Sequence, residues 1–380
     1  MTDLEHILPL WNELEISGAD YVLATVVDVE GSSYRRPGAR MLLAQDGRRA
    51  GTVSGGCLEA EVAKRARWLS SNGPVVERYS TLEDDGDLPY GSGCGGVVYI
   101  LLERRKTASP LIHALKAAWE VRKPLAIATV LEGPNIAKRT FVTLGAPQMD
   151  SEDSSFGLDF ELQELAEVAL DRRASLEQKL PIESVLTRVW VDYRAARPGL
   201  WIFGAGDDTK PLLKLARELG WFVAIADGRS HLATQSRFAT ADDVRALKID
   251  DLPGRGRPPL LSTDAAVLMT HSFEQDTHIL AALMNDEHEL PYAYVGVLGP
   301  QRRTREALVE AARLRHITAD AARIECWLAQ LHAPTGIDLG ADTSASIALS
   351  ILAEIQQTLN AATALPLRQV RATKVVVTQG

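Results

Sequence analysis

The chain has 380 residues, 46% of them hydrophobic and 24% charged, and carries a formal net charge of −9. This length suggests two domains, each able to bury a core, and the composition is typical of a soluble globular protein. The negative charge argues against nonspecific nucleic-acid binding, and three cysteines are too few for a disulfide framework, so we expect a cytoplasmic protein. The first ten residues lack the pattern of a signal peptide, and no apolar run approaches the roughly 18 residues that span a bilayer.

Residues 1–150 are predicted to form an N-terminal domain of mixed α/β (α+β) type. Apolar residues at spacings of four, four and three predict a helix that begins just after Cys57, and a second helix covers residues 110–122. A polar, basic loop, residues 31–38 (GSSYRRPG), separates the first two strands. Valine-rich and alternating segments predict strands at residues 21–29, 40–44, 51–53, 75–79, 97–102, 125–130 and 140–144.

The second half of the chain has a different organisation. Residues 151–196 are predicted to be a linker followed by a connecting or dimer-forming helix over residues 162–180, with a strand at residues 185–193. From residue 197 to 360, strands alternate with helices, which predicts a Rossmann-type, doubly wound parallel sheet. Residues 361–380 form a tail that we do not assign. The predicted strands of the sheet are residues 200–203, 222–227, 265–270 and 292–298.

A glycine turn between the first strand and first helix of this second domain is typical of dinucleotide binding. Gly204 makes the tight turn, and Gly206 lets the backbone approach a pyrophosphate. Asp227, 23 positions after Gly204, ends the second strand, where it can bind ribose hydroxyls, and Arg229 is close enough to contact a phosphate instead.

Two departures weaken the dinucleotide prediction. Thr209 stands where the third glycine of the fingerprint is expected, and Asp207 and Asp208 occupy the start of the helix. Aspartates are good N-cap residues, but their charge opposes an anion bound at the same place. The alternatives are a Rossmann domain that binds another nucleotide-like ligand, or one that serves only as a scaffold.

Two of the three cysteines lie in glycine turns. Residues 54–59 (SGGCLE) place Cys57 after Gly55 and Gly56, and residues 93–96 (GCGG) place Cys94 before Gly95. The helix dipole lowers the pKa of a thiol in a first helical turn, although Glu59 and Glu61 oppose that effect. The alternative is that both thiols are small residues packed beside tight turns.

Three arginines near the cysteine turns are candidates for holding an anion. Arg35 and Arg36 lie in the basic loop and Arg40 on the strand that follows, and guanidinium groups bind phosphate in bidentate fashion. The alternative is a solvated basic loop. The third cysteine, Cys326, lies among apolar residues and is predicted to fill the core.

Two further candidates follow strands of the second domain. His271 comes directly after a predicted strand, where ligands of open α/β sheets bind, and Arg302 follows the last strand in a glycine-containing segment. No spacing of Cys, His or carboxylate residues compels a metal site, and no nucleophile elbow indicates a hydrolase.

Taken together, these motifs resemble the xanthine dehydrogenase accessory proteins, the XdhC/CoxI family. The resemblance covers most of residues 20–357. Two departures concern the second domain: Asp207-Asp208 stands where the family usually has His-Val, and Pro300 where it usually has serine. The motifs that carry the resemblance are residues 31–41, 54–59, 93–96, 202–206, 294–299, 336–340 and 347–354.

The resemblance implies a role in the maturation of a molybdoenzyme. Members of this family bind molybdenum cofactor (molybdopterin), protect it during sulfuration and transfer it to a xanthine dehydrogenase-type apoenzyme. They cooperate with a cysteine desulfurase and tend to be homodimers. The implied protein is a cofactor-insertion chaperone rather than a catalyst, and its site is the pair Cys57 and Cys94.

Two other functions remain open from the residues alone. One is an NAD(P)-binding oxidoreductase, for which Gly204, Gly206 and Asp227 argue, although no acid–base pair typical of hydride transfer stands out. The other is a docking protein whose Rossmann domain is only a scaffold.

Overall fold

The computed structural model describes residues 3–56, 58–80, 96–133, 135–144, 156–182, 185–248, 252, 258–285 and 289–370. Cys57, Cys94 and Gly95 therefore lie outside the described residues. Contacts divide the chain into two compact units, Met1–Arg197 and Pro198–Gly380.

The first unit contains two antiparallel sheets. One has the order β3-β2-β1-β5-β4 and the other the order β7-β6-β9-β8. The strands are β1 Tyr21–Gly31, β2 Arg40–Ala44, β3 Arg49–Gly51, β4 Val75–Ser80, β5 Gly96–Arg104, β6 Leu125–Val130, β7 Arg139–Thr143, β8 Leu176–Ile182 and β9 Val185–Arg194. The helices are α1 Asp3–Ser17, α2 Glu59–Leu69, α3 Arg105–Glu120 and α4 Phe156–Arg172.

Strand β1 is buried on both faces because successive side chains of a strand point to opposite sides of the sheet. Tyr21 and Leu23 pack in one core with residues of α1 and α3. Val22 and Ala24 pack in another core with residues of α2. The apolar run of this strand thus reflects a sheet covered by helices on both sides.

Residues 156–182 differ from the expected connecting helix, whereas the strand expected at residues 185–193 is present as β9. Helix α4 ends at Arg172, and β8 and β9 then pair with each other and, through β9, with β6. Helix α4 packs its apolar face on this second sheet, in a core that includes Leu162 and Val189. Residues 156–194 therefore belong to the first unit.

The second unit is a parallel sheet with helices, as the alternation of elements predicts. The strand order is β12-β11-β10-β13-β14, and every neighbouring pair is parallel. The strands are β10 Gly199–Phe203, β11 Phe222–Asp227, β12 Asp243–Ala246, β13 Ala265–Leu268 and β14 Tyr294–Val297. The helices are α5 Lys210–Glu218, α6 Phe273–Leu283, α7 Gln301–Leu314, α8 Ala321–Gln330 and α9 Ser344–Leu359.

This order reverses between β10 and β13, which creates the crevice where ligands of doubly wound sheets bind. The sheet separates two cores, because alternate residues of β10 enter one or the other: Trp201 on one side, Leu200 and Ile202 on the other. The predicted fold class is thereby confirmed: a mixed α/β unit with antiparallel sheets precedes a Rossmann-type unit.

Two local expectations are wrong. Residues 176–180 were expected to continue a helix but lie in β8. Cys326 is exposed rather than in the core, and Gln330 Nε2 lies 3.9 Å from its Sγ. None of the helices in the described part of the chain is long and apolar enough to cross a membrane.

Candidate functional site

The basic loop, residues 31–38, lies against Gly55 and Gly96, the described glycines nearest to the two cysteines. Gly31 pairs with Gly96 at the ends of β1 and β5, and a Cβ added at Gly96 would overlap the carbonyl oxygen of Ser32. At the other turn, the Tyr34 ring covers Gly55, 3.4 Å from where a Cβ would lie. The described neighbours of both cysteines therefore converge on one loop.

Ser54 and Glu59 fix the turn that contains Cys57. The Glu59 carboxylate accepts hydrogen bonds from the Ser54 backbone N–H (2.8 Å) and Oγ (2.5 Å), and another from the Thr52 hydroxyl. The Ser54 Oγ in turn accepts from the N–H groups of Gly56 and Leu58, each at 3.1 Å. Burial alone would raise the pKa of Glu59, but the hydrogen bonds from Ser54 and Thr52 outweigh it and hold the pKa below its ordinary value.

The backbone at Gly56 is accessible. Its φ of 116° lies in the region that favours glycine, and a Cβ added there would meet no atom of the described residues within 4 Å, its chain neighbours aside. A ligand can thus approach this turn closely, which is the property that the sequence predicts for it.

The three arginines near these turns have different surroundings. Arg40 is buried on β2, where its guanidinium donates to Asp192 on β9 at 2.7 Å and to the Gly38 carbonyl at 3.0 Å. Arg35 forms an ion pair with Asp3 of α1. Arg36 is exposed, and its guanidinium has no partner among the described residues.

The Arg40 guanidinium is therefore occupied by contacts that stabilise the fold. Burial lowers its pKa to about 10, and the adjacent Asp192 opposes that shift, so the group is charged at neutral pH. Of the three predicted phosphate ligands, Arg36 alone combines exposure with no partner in the described residues, and Arg35 is half-buried against Asp3.

In the Rossmann unit, Asp227 stabilises the glycine turn. Its Oδ2 accepts from the Ala205 N–H at 2.7 Å and from Arg229 Nη2 at 2.7 Å, while Oδ1 accepts from the Arg229 N–H and Nε. Burial raises the pKa of Asp227, but the bonds from Arg229 and Ala205 outweigh it and the net shift is downward. Both oxygens that would bind a ribose thus already have partners, and Arg229 is paired with Asp227 rather than free.

The side chain of Asp208 fills the approach to Gly206. A Cβ added at Gly206 would overlap Asp208 Oδ1, and the other carboxylate oxygen lies 2.8 Å from His271 Nε2. Asp207 pairs with Lys210 at 2.7 Å and with Arg237 at 2.9 Å. The position that a pyrophosphate takes in a dinucleotide site therefore holds a carboxylate.

Next to this turn is a cleft of about 370 Å³ at the carboxyl ends of β13 and β14. Asp276 is buried in it, accepting from the Thr270 hydroxyl at 2.6 Å and pairing with Arg303 at 2.7 Å. Burial raises the pKa of Asp276, and the bonds from Thr270 and Arg303 only partly offset that effect. The cleft is lined by Met269, Thr270, His271, Asp276, Leu298, Gly299 and Arg303.

The structure places His271 at the cleft but leaves the Arg302 side chain outside it. His271 lines the cleft, as its place after a strand predicts, and adopts a φ of 58°, which is uncommon for a residue with a side chain. The Arg302 side chain is 88% exposed and faces Glu306, whereas its neighbour Arg303 reaches the cleft. The sequence could not distinguish the two arginines, because it does not fix the rotation of α7.

A second polar cluster was not singled out from the sequence as a site. Glu354 on α9 accepts from the Tyr294 hydroxyl at 2.6 Å and from the Gly336 N–H at 2.6 Å, and lies 3.0 Å from His332 Nδ1. Burial raises the pKa of Glu354, but Tyr294 and Gly336 outweigh it and lower the pKa. The sequence did contain a signal for this cluster, because two of the motifs named above, residues 336–340 and 347–354, meet here.

The predicted residues therefore fall into two sets, one in each unit. The first unit holds Arg35, Arg36, Arg40, Gly55 and Gly56, and Tyr34, next to Arg35 in the basic loop, covers Gly55. Cys57, Cys94 and Gly95 lie outside the described residues. The second brings together the five residues of the Rossmann crevice: Gly204, Gly206, Asp227, Arg229 and His271.

Comparison with known proteins gives two matching family models. The model described as the XdhC and CoxI family matches residues 16–80, and the model described as the XdhC Rossmann domain matches residues 200–355. The first match covers the basic loop and residues 54–59, and the second covers the crevice and the Glu354 cluster.

Individual relatives match over different lengths. A Bacillus subtilis (strain 168) protein, named as a probable xanthine dehydrogenase subunit, is 30% identical over 341 residues, 89% of this chain and 92% of that protein. The Escherichia coli (strain K12) protein named "Molybdenum cofactor insertion chaperone PaoD" is 34% identical over 134 residues, 33% of this chain and 39% of that protein. A crystal structure described as a xanthine dehydrogenase from Bacillus halodurans superposes with a TM-score of 0.71 and 25% identity, covering 96% of this chain and 97% of that one.

Proposed function

Because the chain belongs to the XdhC and CoxI family, we propose that it is an accessory protein that inserts molybdenum cofactor into a xanthine dehydrogenase-type molybdoenzyme. A relative named for this activity matches about a third of the chain. The cofactor is cargo in this proposal, held for a time and then passed on.

The observation that carries the proposal is that the basic loop contacts both Gly55 and Gly96, each of which lies two positions from a cysteine. Thiolates are good ligands for soft metal chemistry, and the cofactor's phosphate suits a nearby guanidinium. The open backbone at Gly56 leaves room for such a group, and Arg36 has a guanidinium without a partner among the described residues. We assign Cys57 and Cys94 to the metal end of the cargo and Arg36 to its phosphate, with Arg35 released from Asp3 as a second contact.

The proposal includes finer steps. The bound cofactor is protected while a cysteine desulfurase supplies the sulfur, and the loaded protein then docks on the apoenzyme. It acts as a homodimer in the cytoplasm.

Cofactor retention tests the assignment. Purified full-length protein is loaded with molybdenum cofactor, passed through gel filtration, and the retained cofactor is quantified by its fluorescent oxidation product. We expect Cys57→Ala and Cys94→Ala to lose most of the retained cofactor, and the exposed Cys326→Ala to retain it as the matched control. Unchanged retention in both turn variants would overturn the thiol assignment.

The alternative hypothesis, which must be distinguished from the chaperone hypothesis, is a docking protein that never holds cofactor. In a pull-down with a xanthine dehydrogenase-type apoenzyme, the double variant Cys57→Ala, Cys94→Ala should still capture the partner under either hypothesis. Activation of that apoenzyme distinguishes them. The chaperone hypothesis predicts that the double variant captures the apoenzyme without activating it, and the docking hypothesis predicts full activation.

NAD(P) binding in the Rossmann unit is less well supported by the geometry. Asp227 is saturated by Ala205 and Arg229, and Asp208 occupies the approach to Gly206. We expect calorimetry with NAD and NADP to give dissociation constants weaker than about 1 mM, which is roughly −4 kcal/mol. Tighter binding would restore the oxidoreductase hypothesis.

A further inference from the structure

Strand β8 forms the outer edge of the second sheet, next to β9. The carbonyl of Arg188 on β9 accepts from the Leu131 N–H, so the backbone of Arg188 faces β6. Lys179 lies opposite Arg188 in the register of β8 and β9 and therefore directs its own N–H and carbonyl away from β9. Glu177 and Pro181, two positions to either side, face the same way. These outward backbone groups have no hydrogen-bonding partner in the part of the chain that the structure describes.

An open edge of this kind is a template for another strand, and β8 is complementary to itself in one register. Antiparallel pairing centred on Gln178 places Glu177 of one copy opposite Lys179 of the other, and the reverse. Because both residues face outward, each of these pairs exchanges both of its backbone hydrogen bonds. Opposite charges directly across a ladder also stabilise the pairing. A second copy of the chain is therefore the occupant that this edge fits.

The two neighbouring registers are unfavourable. Centring the pairing on Glu177 sets that carboxylate opposite its own copy, and centring it on Lys179 does the same with two ammonium groups. The second of these registers also sets Pro181, which has no N–H, opposite Glu177. Lysine and proline on an edge strand commonly prevent unspecific pairing. In β8 they leave the register centred on Gln178 as the favourable one.

The charged side chains beside this edge have the matching imbalance. Arg188 pairs with Glu177 at 2.7 Å and with Asp28 at 2.5 Å, so among these groups one guanidinium faces two carboxylates. The Lys179 side chain is exposed and has no ion pair among the described residues. In the register centred on Gln178, Lys179 of the second copy comes next to Glu177 and supplies the missing positive charge. Such complementarity fixes register and specificity more than affinity.

The other face of β8 supplies apolar contacts in the same register. Leu180 is buried in the core beneath α4, and Leu176 is a partly buried residue packed against that core. Helix α4 lies over β6, β7 and β9. Pairing centred on Gln178 sets Leu176 opposite Leu180 of the second copy, in a pair without mutual hydrogen bonds, where side chains approach most closely. The apolar core would thus continue from one copy into the next.

We infer that the free edge of β8 pairs with β8 of a second copy of this chain, antiparallel and centred on Gln178. The pairing joins the two four-stranded sheets into one continuous sheet. The inference rests on the proposed function only for the expectation of a homodimer, and it adds the surface and the register by which the copies meet.

Charge reversal tests the register by sedimentation equilibrium of the full-length protein. Lys179→Glu and Glu177→Lys each set like charges opposite one another, so each variant alone should raise the dimer dissociation constant at least about tenfold. An equimolar mixture of the two variants places opposite charges in both pairs and should restore the dimer. Lys214→Glu, on an exposed lysine of α5, is the matched control and should leave the dissociation constant unchanged.

A backbone variant tests the hydrogen bonds of the edge without reversing a charge. Lys179→Pro removes an outward N–H on the side of β8 where Pro181 already lies, so the ladder with β9 is kept. We expect an unchanged circular dichroism spectrum and a dimer dissociation constant raised at least about tenfold.

Three results would each overturn the inference. They are an unmodified protein that is monomeric at about 100 μM, a dissociation constant unchanged in both Lys179 variants, and a mixture of the charge variants that stays monomeric. Cofactor retention is measured on the same samples. A monomer that retains cofactor contradicts the interface alone, and a β8-dependent dimer that retains none contradicts the chaperone proposal alone.

Discussion

Glu59 has a different role from the one its position suggests. From the sequence, a carboxylate two residues after Cys57 opposes formation of a thiolate. In the structure the side chain turns back to Ser54 and Thr52 and is buried. The Glu59 carboxylate therefore accepts hydrogen bonds that hold the turn in place, and those bonds stabilise its negative charge.

Replacing that acceptor should loosen the turn. Glu59→Gln sets an amide donor against the donors of Ser54 and Thr52, and we expect a loss of about 1–3 kcal/mol in the free energy of unfolding, measured by urea denaturation. Glu61→Gln is the control, because that side chain is partly exposed and its nearest cation, Arg65, is 3.9 Å away. Equal effects of the two substitutions would show that Glu59 does not brace the turn.

Acid should destabilise the protein through its carboxylates with lowered pKa values, among them the buried or partly buried Glu59, Asp227 and Glu354. Each favours its charged form in the folded state, so its contribution is complete above the ordinary value, 4.5 for glutamate and 3.8 for aspartate. The contribution is lost as the pH falls through the lower folded-state pKa. Asp276, whose pKa is raised, acts in the opposite direction.

Urea midpoints measured between pH 6 and pH 3 check this dependence. We expect the midpoint to fall below about pH 4.5 and to fall less steeply in Glu354→Gln, which has one such group fewer. If the urea midpoint of Glu354→Gln fell with pH as steeply as that of the unmodified protein, Glu354 would not contribute to the acid dependence of stability.

At the level of elements, Gly204 illustrates why the first turn of the Rossmann unit needs glycine. Its φ is 138°, and a Cβ would lie 2.5 Å from the Met269 carbonyl oxygen. β10 and β13 pair in parallel and end at this point, so the turn must pass close to the neighbouring strand. Backbone conformation and close approach thus both exclude a side chain.

The two effects can be separated with a second glycine. Gly73 has a similar φ of 131°, but a Cβ there would meet no atom within 4 Å in the part of the chain that the structure describes, its chain neighbours aside. We expect Gly73→Ala to cost roughly 1–3 kcal/mol of stability from backbone strain alone, and Gly204→Ala to cost about 1–3 kcal/mol more from overlap. Thermal denaturation of both variants measures the difference in stability. Equal losses of stability would show that the end of β13 shifts to make room for the added methyl group.

Element types were predictable where the pattern is local. The strands β2, β6 and β11 match the predicted ranges at both ends, since continuous apolar runs between turn residues specify buried strands. β8 was not predictable, because its sequence LEQKLPI is polar and forms a strand only by pairing with β9. Likewise, the choice between Arg302 and Arg303 depends on how α7 is rotated.

At the scale of the whole molecule, each unit has its own cores, and the chain divides between Arg197 and Pro198. We expect a fragment of residues 198–380 to unfold in a single cooperative transition, followed by circular dichroism. A non-cooperative profile would show that the Rossmann unit depends on the first unit for its stability.

The order in which the chain leaves the ribosome gives the contact between Arg40 and Asp192 a further significance. The two residues are 152 positions apart, and Asp192 provides the carboxylate bonded to the buried guanidinium. Until β9 has been synthesised, Arg40 can enter the core only as an unpaired charge, which is strongly unfavourable. The loop that carries Arg35 and Arg36 ends at Gly38, whose carbonyl also accepts from Arg194 at 2.5 Å. The basic loop is therefore finished only when about half of the chain exists, so the proposed function implies that cargo binds only after the surrounding unit is complete.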